Sequence, residues 1–151
     1  MDSALTLPNL ISLLFRGCPT LPSLLTHNTT EWHNLPKFRP LLALDLCGVN
    51  SRAFHKAVSD LVATFLSPHS AENREGGEQE VKFEGMRRLG LHFCKMPSGD
   101  LEAFLGGFSG LTHLDLGYTR LTGLGLKVIV EWPLVSLSLS RTKVEGWELT
   151  E

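Results

Sequence analysis

The side chains able to carry chemistry in this sequence are three cysteines, six histidines and a run of glutamates. Cys18, Cys47 and Cys94 lie far apart, with no C-x-x-C pair and no two histidines at ligand spacing, so they do not describe a zinc site. Nucleophilic catalysis by a thiol needs a base within hydrogen-bond reach. His92 is two residues from Cys94, and residues two apart on a strand share a face, but Cys94 is expected to turn inward where the strand bends. The two side chains then diverge, and the cysteines read as structural thiols. Among His27, His33, His55, His69, His92 and His113, only His92 and His113 are expected to approach each other, from neighbouring strands. Gly106-Gly107 and Gly123-x-Gly125 lie outside any G-x-x-x-x-G-K-S/T context and read as cap and turn glycines, not as a phosphate loop. Glu72, Glu75, Glu78, Glu80 and Glu84, interspersed with Arg74 and Lys82, read as a solvated loop. No catalytic residue, cofactor site or metal site is expected.

Composition narrows the remaining classes. The 151 residues fit one domain. With 14 basic against 16 acidic residues, the net charge of −2 argues against a nucleic-acid backbone or an anionic membrane as the main partner. A hydrophobic content of 42 % with 20 % charged residues is too apolar for a disordered chain. No apolar stretch reaches the 18 or so residues of a membrane span. Asp2 stands where a secretory signal wants positive charge, and Arg16 ends the apolar stretch that begins at Leu5. The odd cysteine count points the same way, to a reducing compartment, cytoplasm or nucleus. The sequon at Asn28-Thr29-Thr30 would matter only in a secreted chain.

The elements that must position any functional side chain follow from the leucines, 29 of the 151 residues. Five segments share one pattern: Leu10-x-x-Leu13-x-Phe15-x-x-Cys18, Leu41-x-x-Leu44-x-Leu46-x-x-Val49, Met86-x-x-Leu89-x-Leu91-x-x-Cys94, Leu111-x-x-Leu114-x-Leu116-x-x-Thr119 and Leu134-x-x-Leu137-x-Leu139-x-x-Thr142. Three apolar slots alone would recur at about 7 % of starting points, but five copies with a small or thiol residue in the last slot are far harder to reach by accident. That last residue is expected to satisfy backbone groups where the strand bends into a loop. Met86 to Leu111 is 25 residues and Leu111 to Leu134 is 23, both within the 20–29 of leucine-rich repeats. Leu10 to Leu41 is 31, with Thr26–Asn34 as the excess. Leu41 to Met86 is 45, and setting aside 67–85 leaves 26, so 67–85 is expected to be an inserted acidic loop. Return helices are expected over Ser51–Leu66, with Phe54, Val58, Leu61, Val62 and Phe65 on one face and Ser51 as cap. A second begins at a Ser98 cap, buries Leu101, Phe104 and Leu105, and stops at Gly106-Gly107. A third runs from a Thr122 cap to Glu131, and the first repeat offers only Leu21, Leu24 and Leu25 for a helix.

The stretch Leu111-Thr-His-Leu-Asp-Leu-Gly-Tyr-Thr-Arg-Leu-Thr-Gly-Leu-Gly-Leu126 resembles the cysteine-containing leucine-rich repeat of F-box proteins and, more broadly, the ribonuclease-inhibitor-like superfamily. The likeness covers roughly residues 5 to 147. It implies an α/β fold: a short right-handed leucine-rich-repeat solenoid of about five repeats, with a parallel strand row and outer helices. By resemblance, the function is non-catalytic protein binding, as a substrate-recognition piece of a ubiquitin-ligase-like complex, although no F-box precedes the repeats. The alternative is a GTPase regulator similar to the Ran GTPase-activating proteins, whose repeats are longer and more regular. A cysteine-dependent hydrolase or redox enzyme is the remaining class.

If the pattern leucines point inward, the alternate residues point to the concave face. These are Ser12, Leu14 and Arg16; Ala43, Asp45 and Cys47; Arg88, Gly90 and His92; His113, Asp115 and Gly117; and Ser136, Ser138 and Ser140. Phe93, Tyr118 and Arg141 come next outward. Aromatic and arginine side chains are common interface anchors, so a protein partner is expected on Arg16, Asp45, Arg88, His92, Phe93, His113, Asp115, Tyr118 and Arg141. In the blander reading Asp45 and Asp115 only order their loops. A terminal repeat needs a polar cap. After Thr142 the chain is too short for a full helix, so Val144, Trp147 and Leu149 are expected at an edge. That edge would be met by a longer solenoid, a partner or a folded-back tail.

Overall fold

The structure is a computed structural model that describes residues 12–14, 16, 42–62, 83 and 85–144. Cys18, the weak helix around Leu21–Leu25, the end of the expected Ser51–Leu66 helix with Phe65, most of 67–85, and Trp147 and Leu149 lie outside the described residues. The chain is a mixed α/β structure with strands β1 (Ser12–Leu14), β2 (Ala43–Asp45), β3 (Arg88–Gly90), β4 (His113–Asp115) and β5 (Ser136–Ser138). They form one sheet in sequence order, every neighbouring pair parallel. Helices α1 (Arg52–Leu61), α2 (Ser98–Gly106) and α3 (Gly123–Ile129) connect β2 to β3, β3 to β4 and β4 to β5. Parallel neighbours need such crossovers, because a tight turn cannot return the chain to the same end of the sheet.

Leu13, Leu44, Leu89, Leu114 and Leu137 occupy one register column across all five strands. Leu44, Leu89 and Leu114 are buried in the core with Leu46, Leu91 and Leu116 of the following turns. Each strand is three residues long, yet the ladder runs on into the turns: Leu46 N–H donates to Gly90 O, Leu91 N–H to Asp115 O and Leu116 N–H to Ser138 O, at 2.8–2.9 Å. One carbonyl at the entry to each of β3, β4 and β5 accepts two N–H groups, as Leu42 O does from Arg87 and Arg88 at 2.8 and 3.0 Å. The last slot behaves as its residue types require. Thr119 Oγ1 donates to Leu116 O at 2.7 Å and Thr142 Oγ1 to Leu139 O at 2.9 Å, while the Cys94 thiol reaches the previous turn and donates to Leu46 O at 3.0 Å.

In α1, Phe54 and Val58 are buried and Val62 packs against the core. Ser51 caps the helix, its Oγ accepting the Phe54 N–H at 3.1 Å. α2 buries Leu101, Phe104 and Leu105 as expected, but its cap is Pro97 rather than Ser98. The Pro97 carbonyl already accepts the Leu101 N–H at 3.0 Å, so the first helical turn opens one residue earlier. α3 starts after Thr122 and ends at Ile129, two residues short of Glu131. The Thr122 hydroxyl does not cap α3; it donates to Glu102 Oε1 of α2 at 2.5 Å. Gly125 permits this close approach, since a Cβ there would come within 2.5 Å of Leu121 and 2.9 Å of Glu102. Ser59 Oγ of α1 donates to Asp100 of α2, so α2 is tied to both neighbours.

Phe83 corrects the extent of the inserted loop. It lies within 67–85 but is buried, stacked on Phe108 at 4.5 Å and edge-on to Phe104, with its N–H donating to Gly107 O at 2.8 Å. A phenylalanine among glutamates reads as loop by composition, whereas burying its ring among two others gains more than exposure would. At the other end of the sheet, Leu137 is 39 % exposed although its register partner Leu114 is buried. Val144 packs against the core as a partly buried residue.

Candidate functional site

The sheet face opposite the core carries the residues expected to meet a partner. The Asp45 carboxylate accepts the Cys47 N–H at 2.9 Å, and Asp115 accepts the Gly117 N–H at 3.0 Å. Each acid therefore orders the turn that follows its own strand, as short polar side chains do when they bond the backbone two residues on. Asp45 also meets Arg16, with Nη2 at 2.9 Å and Nε at 3.1 Å from Oδ2. Burial by itself would raise the Asp45 carboxyl, but the Cys47 hydrogen bonds and the Arg16 charge hold it below the usual carboxylate value. Asp115 is lowered in the same way: burial opposes the shift, and hydrogen bonds from Gly117, Ser138 and His92 outweigh it.

His92 pairs with Asp115, its Nδ1 3.2 Å from Oδ1, and not with His113. The register sets Arg88 opposite His113, four positions back along β3, so the two histidines fall in different rows. His113 Nδ1 instead lies 2.9 Å from Thr112 Oγ1. Gly117 makes the His92 arrangement possible, because a Cβ there would overlap the His92 ring. Cys47 lies on the same face, covered by its neighbours and set against Gly90, where an added Cβ would come within 2.9 Å of its sulfur.

The turns carry the more unusual feature. Phe93, Tyr118 and Arg141 occupy equivalent positions, and each has a left-handed backbone with φ of 61°, 55° and 58°. Gly48 takes the same position in the preceding turn with φ of 78°. Only glycine adopts this conformation without a steric cost to Cβ. The turns are stitched side by side, with Gly48 N–H donating to His92 O, Phe93 N–H to Gly117 O and Tyr118 N–H to Ser140 O, at 2.7–2.9 Å. Stitching sets the Phe93 and Tyr118 rings parallel, 4.4 Å apart and inclined by 15°, while both remain about 40 % exposed, at 42 % and 41 %. The His92 ring stands edge-on to both, 4.8 Å from Phe93 and 5.4 Å from Tyr118. An open cleft of about 410 Å³ lies beside them, lined by Arg16, Cys47, Gly48, His92, Phe93 and Asp115. Arg141, in the turn next to Tyr118, is exposed, and so is Arg88 at the start of β3.

Asn50 was not singled out from the sequence, although it stands two residues after the turn glycine. Its Nδ2 donates to Phe93 O at 2.5 Å and its Oδ1 accepts the Lys95 N–H at 2.7 Å, clamping the aromatic turn. No family model, curated protein or solved structure matches this chain. The leucine-rich-repeat resemblance thus rests on the spacing of the residues themselves.

The two described thiols are poorly suited to act as nucleophiles. Burial, reinforced by Asp45, pushes the Cys47 thiol up to about 12, and burial pushes Cys94 up to about 12. A thiolate nucleophile needs the opposite shift. Among the described residues no three His, Cys, Asp or Glu side chains are placed to hold a metal ion, and no helix is long and apolar enough to cross a membrane.

Proposed function

We propose that this chain is a short leucine-rich-repeat solenoid acting as a non-catalytic protein-interaction module, with a protein partner seated on its concave face. The stacked, exposed Phe93–Tyr118 pair carries this reading. Two aromatic rings are held on left-handed backbone, at a steric cost of about 1–3 kcal/mol each, with a large part of their surface left in solvent. Such features recur where a surface is shaped for a ligand, and aromatic and arginine side chains supply the largest binding contributions at interfaces. His92 stands edge-on to both rings and Arg141 occupies the next turn, polar groups that suit an interface rim. The in-register leucine column and the repeated turn support the solenoid, whose inner face is the usual binding surface of such arrays. By resemblance, the module is a substrate-recognition piece of a ubiquitin-ligase-like assembly in the cytoplasm or nucleus.

The test is affinity capture followed by cross-link mapping, comparing the wild type with two variants. One carries Arg88→Glu, Asp115→Lys and Tyr118→Ala; the other carries Phe93→Gly and Tyr118→Gly, which leaves the Asp115 turn intact. Circular-dichroism melts check that each variant is folded. Partners cross-linked near Phe93 and lost from both folded variants are the expected result. Partners kept by both variants, or stimulation of GTP hydrolysis by the wild type, would overturn the reading.

A further inference from the structure

A second row of residues is aligned by the strand register. Counting on from Ala43, Arg88, His113 and Ser136, the residues Asn50, Lys95, Arg120 and Lys143 take equivalent positions in four successive turns, two beyond Gly48, Phe93, Tyr118 and Arg141. Backbone contacts tie these turns together: Lys95 N–H donates to Asn50, and Lys143 N–H donates to Leu121 O at 3.2 Å. Lys95, Arg120, Lys143 and Arg141 are all exposed. Among the described residues the ion pairs Arg16–Asp45 and Lys56–Asp60 and the His92–Asp115 contact use none of the four. Neighbouring parallel strands lie about 4.8 Å apart, so three cationic residues follow one another in the turns that carry the stacked rings, with Arg120 close enough to His55 of α1 to act on its charge. Such a row is electrostatically unfavourable by itself and is relieved by an anion lying across it.

We propose that Lys95, Arg120 and Lys143, with the Phe93–Tyr118 rings beside them, receive an extended acidic segment of a partner protein. This rests on the interaction-module reading and specifies the partner's chemistry. Asp or Glu side chains of the segment meet the three cations, and an apolar or aromatic side chain between them lies on the rings. An extended chain repeats same-face side chains about every 6.6–6.8 Å, within the reach of flexible lysine and arginine stems set at strand spacing. A nucleic-acid strand is the weaker fit, because its affinity grows with the number of phosphates neutralised and this row is short.

Fluorescence anisotropy of a labelled peptide of alternating Glu and Ala with one central Phe tests the proposal. The peptide is titrated with the wild type, with Lys95→Glu/Arg120→Glu/Lys143→Glu, and with the milder Lys95→Gln/Arg120→Gln/Lys143→Gln, each checked for folding by circular dichroism. The expected result is binding by the wild type that weakens as salt is added and falls about tenfold or more in the charge-reversed variant. The glutamine variant should fall in between, and a peptide with Lys in place of Glu should not bind. Equal binding by wild type and both variants, or tighter binding of a single-stranded oligonucleotide of matched charge, would overturn the proposal. A captured partner lost from Phe93→Gly/Tyr118→Gly but unaffected by reversing the three cations would also overturn it, leaving the interaction-module reading in place.

Discussion

Arg141→Gly is expected to make the protein more stable, and Phe93→Gly is not, although both substitutions relieve the same backbone strain. The two residues share a left-handed φ, 58° and 61°, at the position where Gly48 stands naturally. Removing Cβ there recovers about 1–2 kcal/mol. Glycine in turn costs about 0.5–1 kcal/mol through the greater freedom of the unfolded chain. Arg141 is exposed and in no ion pair among the described residues, so little else is lost. Its replacement should therefore gain up to about 1 kcal/mol, which for a domain of this size raises Tm by about 2–4 °C. Phe93→Gly recovers the same strain but breaks a 4.4 Å stack on Tyr118, worth about 0.5–1.5 kcal/mol beyond burial. Burial of the part of the ring that is not exposed is lost as well, so the net change is zero or destabilising. Urea and thermal unfolding of Phe93→Gly, Tyr118→Gly and the double variant should show a coupling of about 0.5–1.5 kcal/mol. A lower Tm for Arg141→Gly, or strictly additive effects of the two aromatic substitutions, would refute the account of a strained turn that holds an exposed stack.

Leu114→Ala, in the centre of the leucine column, should cost about 2–5 kcal/mol in urea unfolding, whereas Leu137→Ala, half in solvent in the same column, should cost about 1 kcal/mol. Asp45 and Asp115 both sit below their ordinary value of 3.8, so their contribution is fully present above that value and is lost as pH falls through and beneath it. A stability–pH curve should accordingly drop on the acid side, and Asp115→Asn should flatten the drop. The thiols shift the other way, from 9.0 to about 12 for both Cys47 and Cys94; the stability linked to them is present below pH 9 and lost as pH rises toward 12. Iodoacetamide labelling of Cys47 and Cys94 should consequently be slow at neutral pH in the native protein and fast in urea, and rapid native labelling would contradict the buried placement.

The repeat unit was legible in the chain because each copy repeats the same local requirement: apolar residues at strand spacing, a small or thiol donor at the bend, and a helix-forming stretch after it. That periodicity determined the strand positions, the buried Phe54 and Val58 of α1, the buried face of α2, and the role of Thr119 and Thr142 at the bends. Other features depend on residues far apart in sequence, and no local pattern encodes them. Phe83 became core only because Phe104 and Phe108 arrive beside it from another element. His92 found Asp115 because the register offsets His113 by four rows and Gly117 leaves space for the ring. The exposed aromatic pair was anticipated as two separate interface residues. Its stacking, and the equivalent positions of Lys95, Arg120 and Lys143 in successive turns, were decided by the 25- and 23-residue offsets between strands, which bring equivalent turns into lateral contact once the sheet has formed.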